Sequence, residues 1–179
     1  MIETEQGVTI AAPIEAVWGY ASDISRWAKL MPGLQDCALV DADRSRWTLK
    51  VGVGALVRTV RVAVEVGRWA GPEEVDFTYR LDVEPVNGSG TFRARSLDPG
   101  RTGVALAVNV VGTGPMAPMW EAMGKPLLPK FAAAFAEQFK AEIEAAHGVP
   151  AAAQQPSLLA RLAAWLRRLF QSNAREERA

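Results

Sequence analysis

Apolar residues change their spacing several times along this chain, and each change predicts an element boundary. Val8 to Ala12 reads as a short strand ending at Pro13, where a missing N–H suits the first turn of a helix. Ile14, Val17, Trp18 and Ala21 follow at helical spacing, and Asp23 or Ser25 can cap a second short helix carrying Ile24, Trp27, Leu30 and Met31. Pro32-Gly33 stops it. From Leu34 to Gly112 the period becomes two. Trp47/Leu49/Val51, Val60/Val62/Val64/Val66 and Val75/Phe77/Tyr79/Leu81/Val83 alternate there with Thr48/Lys50, Arg61/Glu65 and Asp76/Arg80/Asp82, which predicts an antiparallel meander with one apolar and one wetted face. Five clusters read as its turns: Asp41-Ala42-Asp43, Gly52-Val53-Gly54, Ala70-Gly71-Pro72, Asn87-Gly88-Ser89-Gly90 and Asp98-Pro99-Gly100.

After Gly114 the helical period returns, with Trp120, Met123, Leu127, Phe131, Phe135, Phe139 and Ile143 on one stripe opposite Lys130, Glu137, Lys140 and Glu144. A long helix must cover the sheet. Pro126 and Pro129 predict a kink in its first half, with a regular ladder only from about Lys130 to Ala146. His147-Gly148-Val149-Pro150 then ends it. The expected organisation is a domain over residues 1–148, a low-complexity linker over 149–156, and a tail helix within 157–179 that Ser157 can cap. On a helical wheel Leu158, Leu159, Leu162, Trp165, Leu166, Leu169 and Phe170 fill one arc, with Arg161, Arg167, Arg168 and Arg175 on the remainder. Such a two-faced basic helix suits the plane of an anionic membrane surface, each Arg adding ~1 kcal/mol. A fold-back over the domain or a dimer seam would use the same stripe.

Composition sharpens this picture. The chain has 179 residues, 49% hydrophobic and 22% charged, enough for one core and an appendage. Its 20 Lys+Arg balance 20 Asp+Glu, which gives no chain-wide reason to bind nucleic acid. Residues 157–179 nevertheless carry +3 and the remainder −3. The single cysteine, Cys37, excludes an intramolecular disulfide and fits a reducing, cytoplasmic setting. The acidic start Met1-Ile2-Glu3-Thr4-Glu5 lacks a secretory pattern, and no run approaches the ~20 apolar residues of a spanning helix. The expected location is peripheral, on the inner face of the cell membrane.

The order strand, two short helices, meander and long helix resembles the SRPBCC (START-like, helix-grip) superfamily, and within it the CoxG family of carbon monoxide dehydrogenase accessory proteins. Ala12-Pro13-Ile14-Glu15-Ala16-Val17-Trp18, Met31-Pro32-Gly33, Leu49-Lys50-Val51-Gly52-Val53-Gly54 and Phe131 to Phe139 carry the likeness, over about residues 2–146. Leu34 stands where a Cys often follows the Pro-Gly in that family, and Cys37 comes three residues later. The resemblance implies an α+β fold, a curved antiparallel sheet of about seven strands around the long helix, enclosing an apolar cavity.

The candidate lining is Trp27, Leu30, Met31, Phe77, Tyr79, Phe92, Leu106, Met119, Trp120, Met123, Leu127 and Phe131, with Met116 beside it as adaptable wall. Ordinary core packing would use the same residues. Arg58 shares parity with Val60 to Val66 and could reach a ligand headgroup or extend to water. The resemblance implies a non-enzymatic carrier of a lipid or quinone, without a covalent cofactor, serving a carbon monoxide dehydrogenase-type molybdenum hydroxylase in electron transfer, recruitment or maturation. A cyclase or dehydratase using Tyr79, Asp36 and water, or an assembly factor whose tail grips a partner protein, are the alternatives. No cluster has metal-ligand spacing, and His147, at a helix end, is a poor base.

Overall fold

The period-two region folds as a sheet because its alternation lets every strand bury one face. The computed structural model describes residues 1–53 and 56–147. The linker and tail expected over 149–179, with Leu158, Leu159, Arg161, Leu162, Trp165, Leu166, Arg167, Arg168, Leu169 and Phe170, lie outside the described residues.

The elements are β1 (Ile2–Ile10), α1 (Ile14–Ala21), α2 (Ile24–Ala28), β2 (Leu34–Leu39), β3 (Arg44–Val53), β4 (Leu56–Ala70), β5 (Glu74–Leu81), β6 (Val86–Asp98), β7 (Arg101–Gly112) and α3 (Ala117–Ala146). The strands form one antiparallel sheet in the order β1-β7-β6-β5-β4-β3-β2. Consecutive strands from β2 to β7 are neighbours, as in a meander, and β1 closes the far edge on β7. This is the helix-grip arrangement expected.

Register brings like residues together. Trp47 pairs with Val62, Val64 with Tyr79, Val75 with Phe92, and Phe92 with Leu106, so the inner face is an unbroken apolar surface. Val83 departs from the pattern: it lies beyond the end of β5 and is exposed.

Asp23 caps α2, accepting from the N–H groups of Ser25 and Arg26 at 2.9 and 3.3 Å. Gly33 takes φ +80, a left-handed conformation suited to a residue without a Cβ, and its carbonyl accepts from Lys50 N–H at 2.8 Å. The short helices are thereby pinned across the sheet at the β2–β3 edge.

Three expectations need correction. First, β1 begins at Ile2 rather than Val8, since pairing with β7 from Ile2↔Val110 to Ile10↔Thr102 overrides the polar composition of its first half. Second, Gly52 and Val53 belong to β3, opposite Val57 and Leu56; and Asn87-Gly88-Ser89-Gly90 is no turn but the start of β6, the connection being residues 82–85. The reason is steric. A Cβ on Gly88 would strike the Tyr79 ring and the Asn109 carbonyl, and one on Gly90 would strike the Phe77 ring. These glycines let two aromatic rings of β5 lie down on β6. Third, α3 continues through both prolines from Ala117. The carbonyls left without N–H donors belong to Ala122 and Lys125, exposed residues that water can serve.

α3 lies over β1 and β7. A Cβ on Gly124 would come within 2.8 Å of Ile2 Cδ1, so the helix approaches closely there. At its far end the buried Glu144 accepts from Ala11 N–H at 2.8 Å, fastening the last turn to the end of β1.

Candidate functional site: an apolar cavity

Between the sheet and α3 lies a cavity of ≈ 240 Å³. Its residues come from both short helices, the strands and α3, with Ala21 the contribution of α1. α2 and the turn after it contribute Trp27 and Met31, while strands β3 to β7 contribute the alternating inner positions. α3 contributes Trp120, Met123, Leu127, Leu128 and Phe131, with Phe135 and Phe139 as an end wall. At ~30 Å³ per water the space equals about eight waters, at the small end for ligand pockets.

Burial shows where it opens. Phe139, Phe135, Val75 and Phe92 at one end are buried. Met31, Val51, Leu81, Met123, Leu127 and Phe131 at the other are half-buried. The opening therefore faces outward between the first half of α3 and the β3–β5 side of the sheet.

Ten of the residues expected to line a cavity do so: Trp27, Met31, Phe77, Tyr79, Phe92, Leu106, Trp120, Met123, Leu127 and Phe131. Two do not. Leu30 is buried in the core away from the void, and Met119 lies on the outer side of α3, 38% exposed. Met116 precedes α3 and is 51% exposed, so only Met123 of the three methionines forms wall. Arg58 is exposed opposite Val51 and contributes nothing to the lining. Sequence reasoning missed Trp47, Leu49, Val60, Val62, Val64, Val86, Val108, Val110 and the end wall. Their alternation on β3, β4, β6 and β7 was the available signal, since strand parity places them on the same face as the chosen residues.

Among the described residues no charged side chain lines the cavity. The lining residues with a polar side-chain atom are Tyr79 and the tryptophans Trp27, Trp47 and Trp120. Tyr79 donates to the Asn109 carbonyl at 2.5 Å, and Trp47 Nε1 donates to Ser45 Oγ at 2.9 Å. Burial pushes the Tyr79 phenol well above its ordinary range, so the group stays protonated at neutral pH. Asp36, the other residue of the enzymatic alternative, is an exposed β2 residue outside the lining. Among the described residues no group of His, Cys, Asp or Glu is placed to hold a metal ion, and no helix is long and apolar enough to cross a membrane.

The family model described as "Polyketide cyclase / dehydrase and lipid transport" matches residues 1–144. The chain belongs to this family. Its fold recurs in solved structures. A conserved protein from Geobacillus kaustophilus superposes with TM-score 0.71 at 18% identity, covering 81% of this chain and 97% of that one. The Zhui aromatase/cyclase from a Streptomyces species gives 0.62 at 21% identity, covering 85% and 98%. A START superfamily protein from Mycobacterium smegmatis gives 0.57 at 16% identity, covering 78% and 98%. No curated protein matches the chain. For this member of the polyketide cyclase/dehydrase and lipid transport family, these likenesses establish the fold.

Proposed function

We propose that the protein is a non-enzymatic carrier that holds an apolar molecule, a lipid chain or a quinone, in the cavity between sheet and α3. The observation that carries this reading is the cavity itself, ≈ 240 Å³ of space walled by apolar side chains and open at one end. Were it sealed and empty, a void of this size would forgo about 6 kcal/mol of packing at ~24 cal/mol per Å³. An apolar guest restores those contacts. Native mass spectrometry of the gently purified protein should show a co-purifying apolar molecule, or uptake of one from vesicles. A protein that stays empty under both conditions is not a carrier.

Membrane association through residues 157–179 fits the basic amphipathic pattern there. On this reading the protein sits on the inner membrane face and passes its guest to a soluble partner. Deleting those residues should abolish flotation with anionic liposomes; unchanged flotation removes the claim. The motifs resembling the CoxG family favour a molybdenum hydroxylase of the carbon monoxide dehydrogenase type as the partner. Neighbouring genes for the large, medium and small polypeptides of such a hydroxylase would support that role.

The cyclase or dehydratase alternative draws on the family description and on the Zhui aromatase/cyclase fold. Against it, the one titratable group lining the cavity among the described residues, Tyr79, has its proton engaged by Asn109 and a pKa far from operating pH. Turnover of a polyketide that vanishes in Tyr79→Phe would reinstate the enzyme.

A further inference from the structure

We propose that the rim of the cavity's mouth is a docking surface for a bilayer containing anionic lipid, so that the doorway is held against the membrane. This rests on the carrier reading only in taking the opening for a doorway, and it does not depend on residues 157–179. Connectivity fixes where the rim lies. β3, β5 and β7 finish, and β1, β4 and β6 begin, at one end of the sheet, where α3 also begins. Val51, Leu81 and Met123 of the mouth belong to that end.

Large apolar side chains left exposed gather there. Val83 is 79% exposed, two residues past Leu81, and Val57 is 53% exposed beside Arg58, the partner of Val51. Met116 and Met119 are exposed too, the first preceding α3 and the second one turn before Met123. These residues come from three segments far apart in sequence, so chain proximity does not explain the grouping. At the closed end the exposed counterparts are Leu39, Val40 and Leu97. They adjoin hairpins whose charges are already paired, Arg44 with Asp41 and Arg101 with Asp98. A concentration of exposed apolar residues marks a surface that something else covers.

Charge selects the cover. At the closed end Glu74 also engages Arg68 and Arg93, with Arg95 the exception. At the mouth end Lys50, Arg58, Arg80 and Lys125 have no ion-pair partner among the described residues. Of the carboxylates there, Asp82 is engaged by Arg46 and Glu121 by the Met1 ammonium group, which leaves Glu3 and Glu84. Apolar tips among unneutralised cations suit a membrane interface, where the tips enter the acyl boundary and the cations meet lipid phosphates. A second copy of this chain would instead set the same cations against themselves. A guest leaving through such a face passes from apolar wall to acyl chain without crossing water.

The test places a nitrobenzoxadiazole dye on single cysteines of the full chain carrying Cys37→Ser. Val83→Cys reports on the mouth and Ala42→Cys, in the exposed β2–β3 hairpin, on the closed end. Each is mixed with vesicles of phosphatidylcholine and phosphatidylglycerol that contain brominated acyl chains. The dye at 83 should shift to the blue and be quenched at least about threefold more than the dye at 42, which should keep its aqueous spectrum. Adding Val57→Asp and Met119→Asp should lower the quenching at 83 at least about fivefold, because carboxylates resist entry into an apolar, anionic boundary. A dye at 83 that stays aqueous would overturn the proposal, whether the protein binds the vesicles through another segment or not at all. A blue shift at 83 without vesicles, growing with protein concentration, would make the face a contact between copies and overturn it equally. The carrier reading fails separately: a protein that inserts position 83 but binds no apolar probe, acetylnaphthalene in a titration, keeps the docking face and loses the guest.

Discussion

From Ala132 to Ile143, α3 meets a filled interior: Phe139 contacts Tyr20 and Phe92 edge-on, each at 5.6 Å between centroids, and stacks on Phe135 at 5.9 Å. From Trp120 to Phe131 the same helix, carrying the same apolar stripe, looks across unfilled space toward β3, β4 and β5. The helix does not make this difference. α1 supplies Val17 and Tyr20 beneath the second half, whereas among the described residues no element is inserted beneath the first. Hydrophobic periodicity thus dictates which face turns inward, and the placing of the small helices dictates whether that face meets a partner or a hollow.

Truncating one residue in each half would test the comparison most severely. Phe139→Ala should cost about 3–5 kcal/mol in denaturant unfolding, because Phe139 is 2% exposed and tightly surrounded. Leu127→Ala should cost about 1 kcal/mol or less, since its side chain is half-buried beside existing space. Similar losses at the two positions would show that both halves are equally packed.

Filling the hollow half comes next. Gly90→Val should drive the Phe77 ring off the sheet and into the cavity, reducing probe uptake at least about tenfold while overpacking costs ~1–3 kcal/mol. Undiminished uptake would mean that the ring escapes elsewhere.

Asp23→Ala should lower stability by about 1 kcal/mol by removing the cap that holds α2 in place, and should weaken uptake in parallel. Uptake unaffected by that loss would show that α2 is no part of the wall.

The smallest effect concerns alkaline pH. The folded state raises the Tyr79 pKa above its ordinary 10.0, so its stability contribution is complete below that value and declines as pH rises beyond it. Tyr79→Phe should therefore unfold less steeply with pH above 10 than the wild type, measured by circular dichroism.

The inner face was readable residue by residue: the Val60 to Val66 alternation appears in β4 as written, and Asp23 caps where a cap was expected. Asn87 to Gly90 was not, because a glycine pair that seats two rings of the neighbouring strand has the same local composition as a turn. Only the cross-strand partners, Tyr79 and Phe77, distinguish the two. The methionines misled for a related reason. Met116, Met119 and Met123 follow a helical spacing, but α3 starts at Ala117, and Met119 falls on its outer side. The empty volume left no mark in the chain, since a gap between layers is a property of distances rather than of any residue's identity.

α3 also sets the direction in which the chain departs. Its 30 residues span about 45 Å, beginning beside the opening and finishing at His147 near the stopper formed by Phe139, Ile143 and Glu144. The last described residue therefore stands at the closed end of the cavity, opposite its doorway.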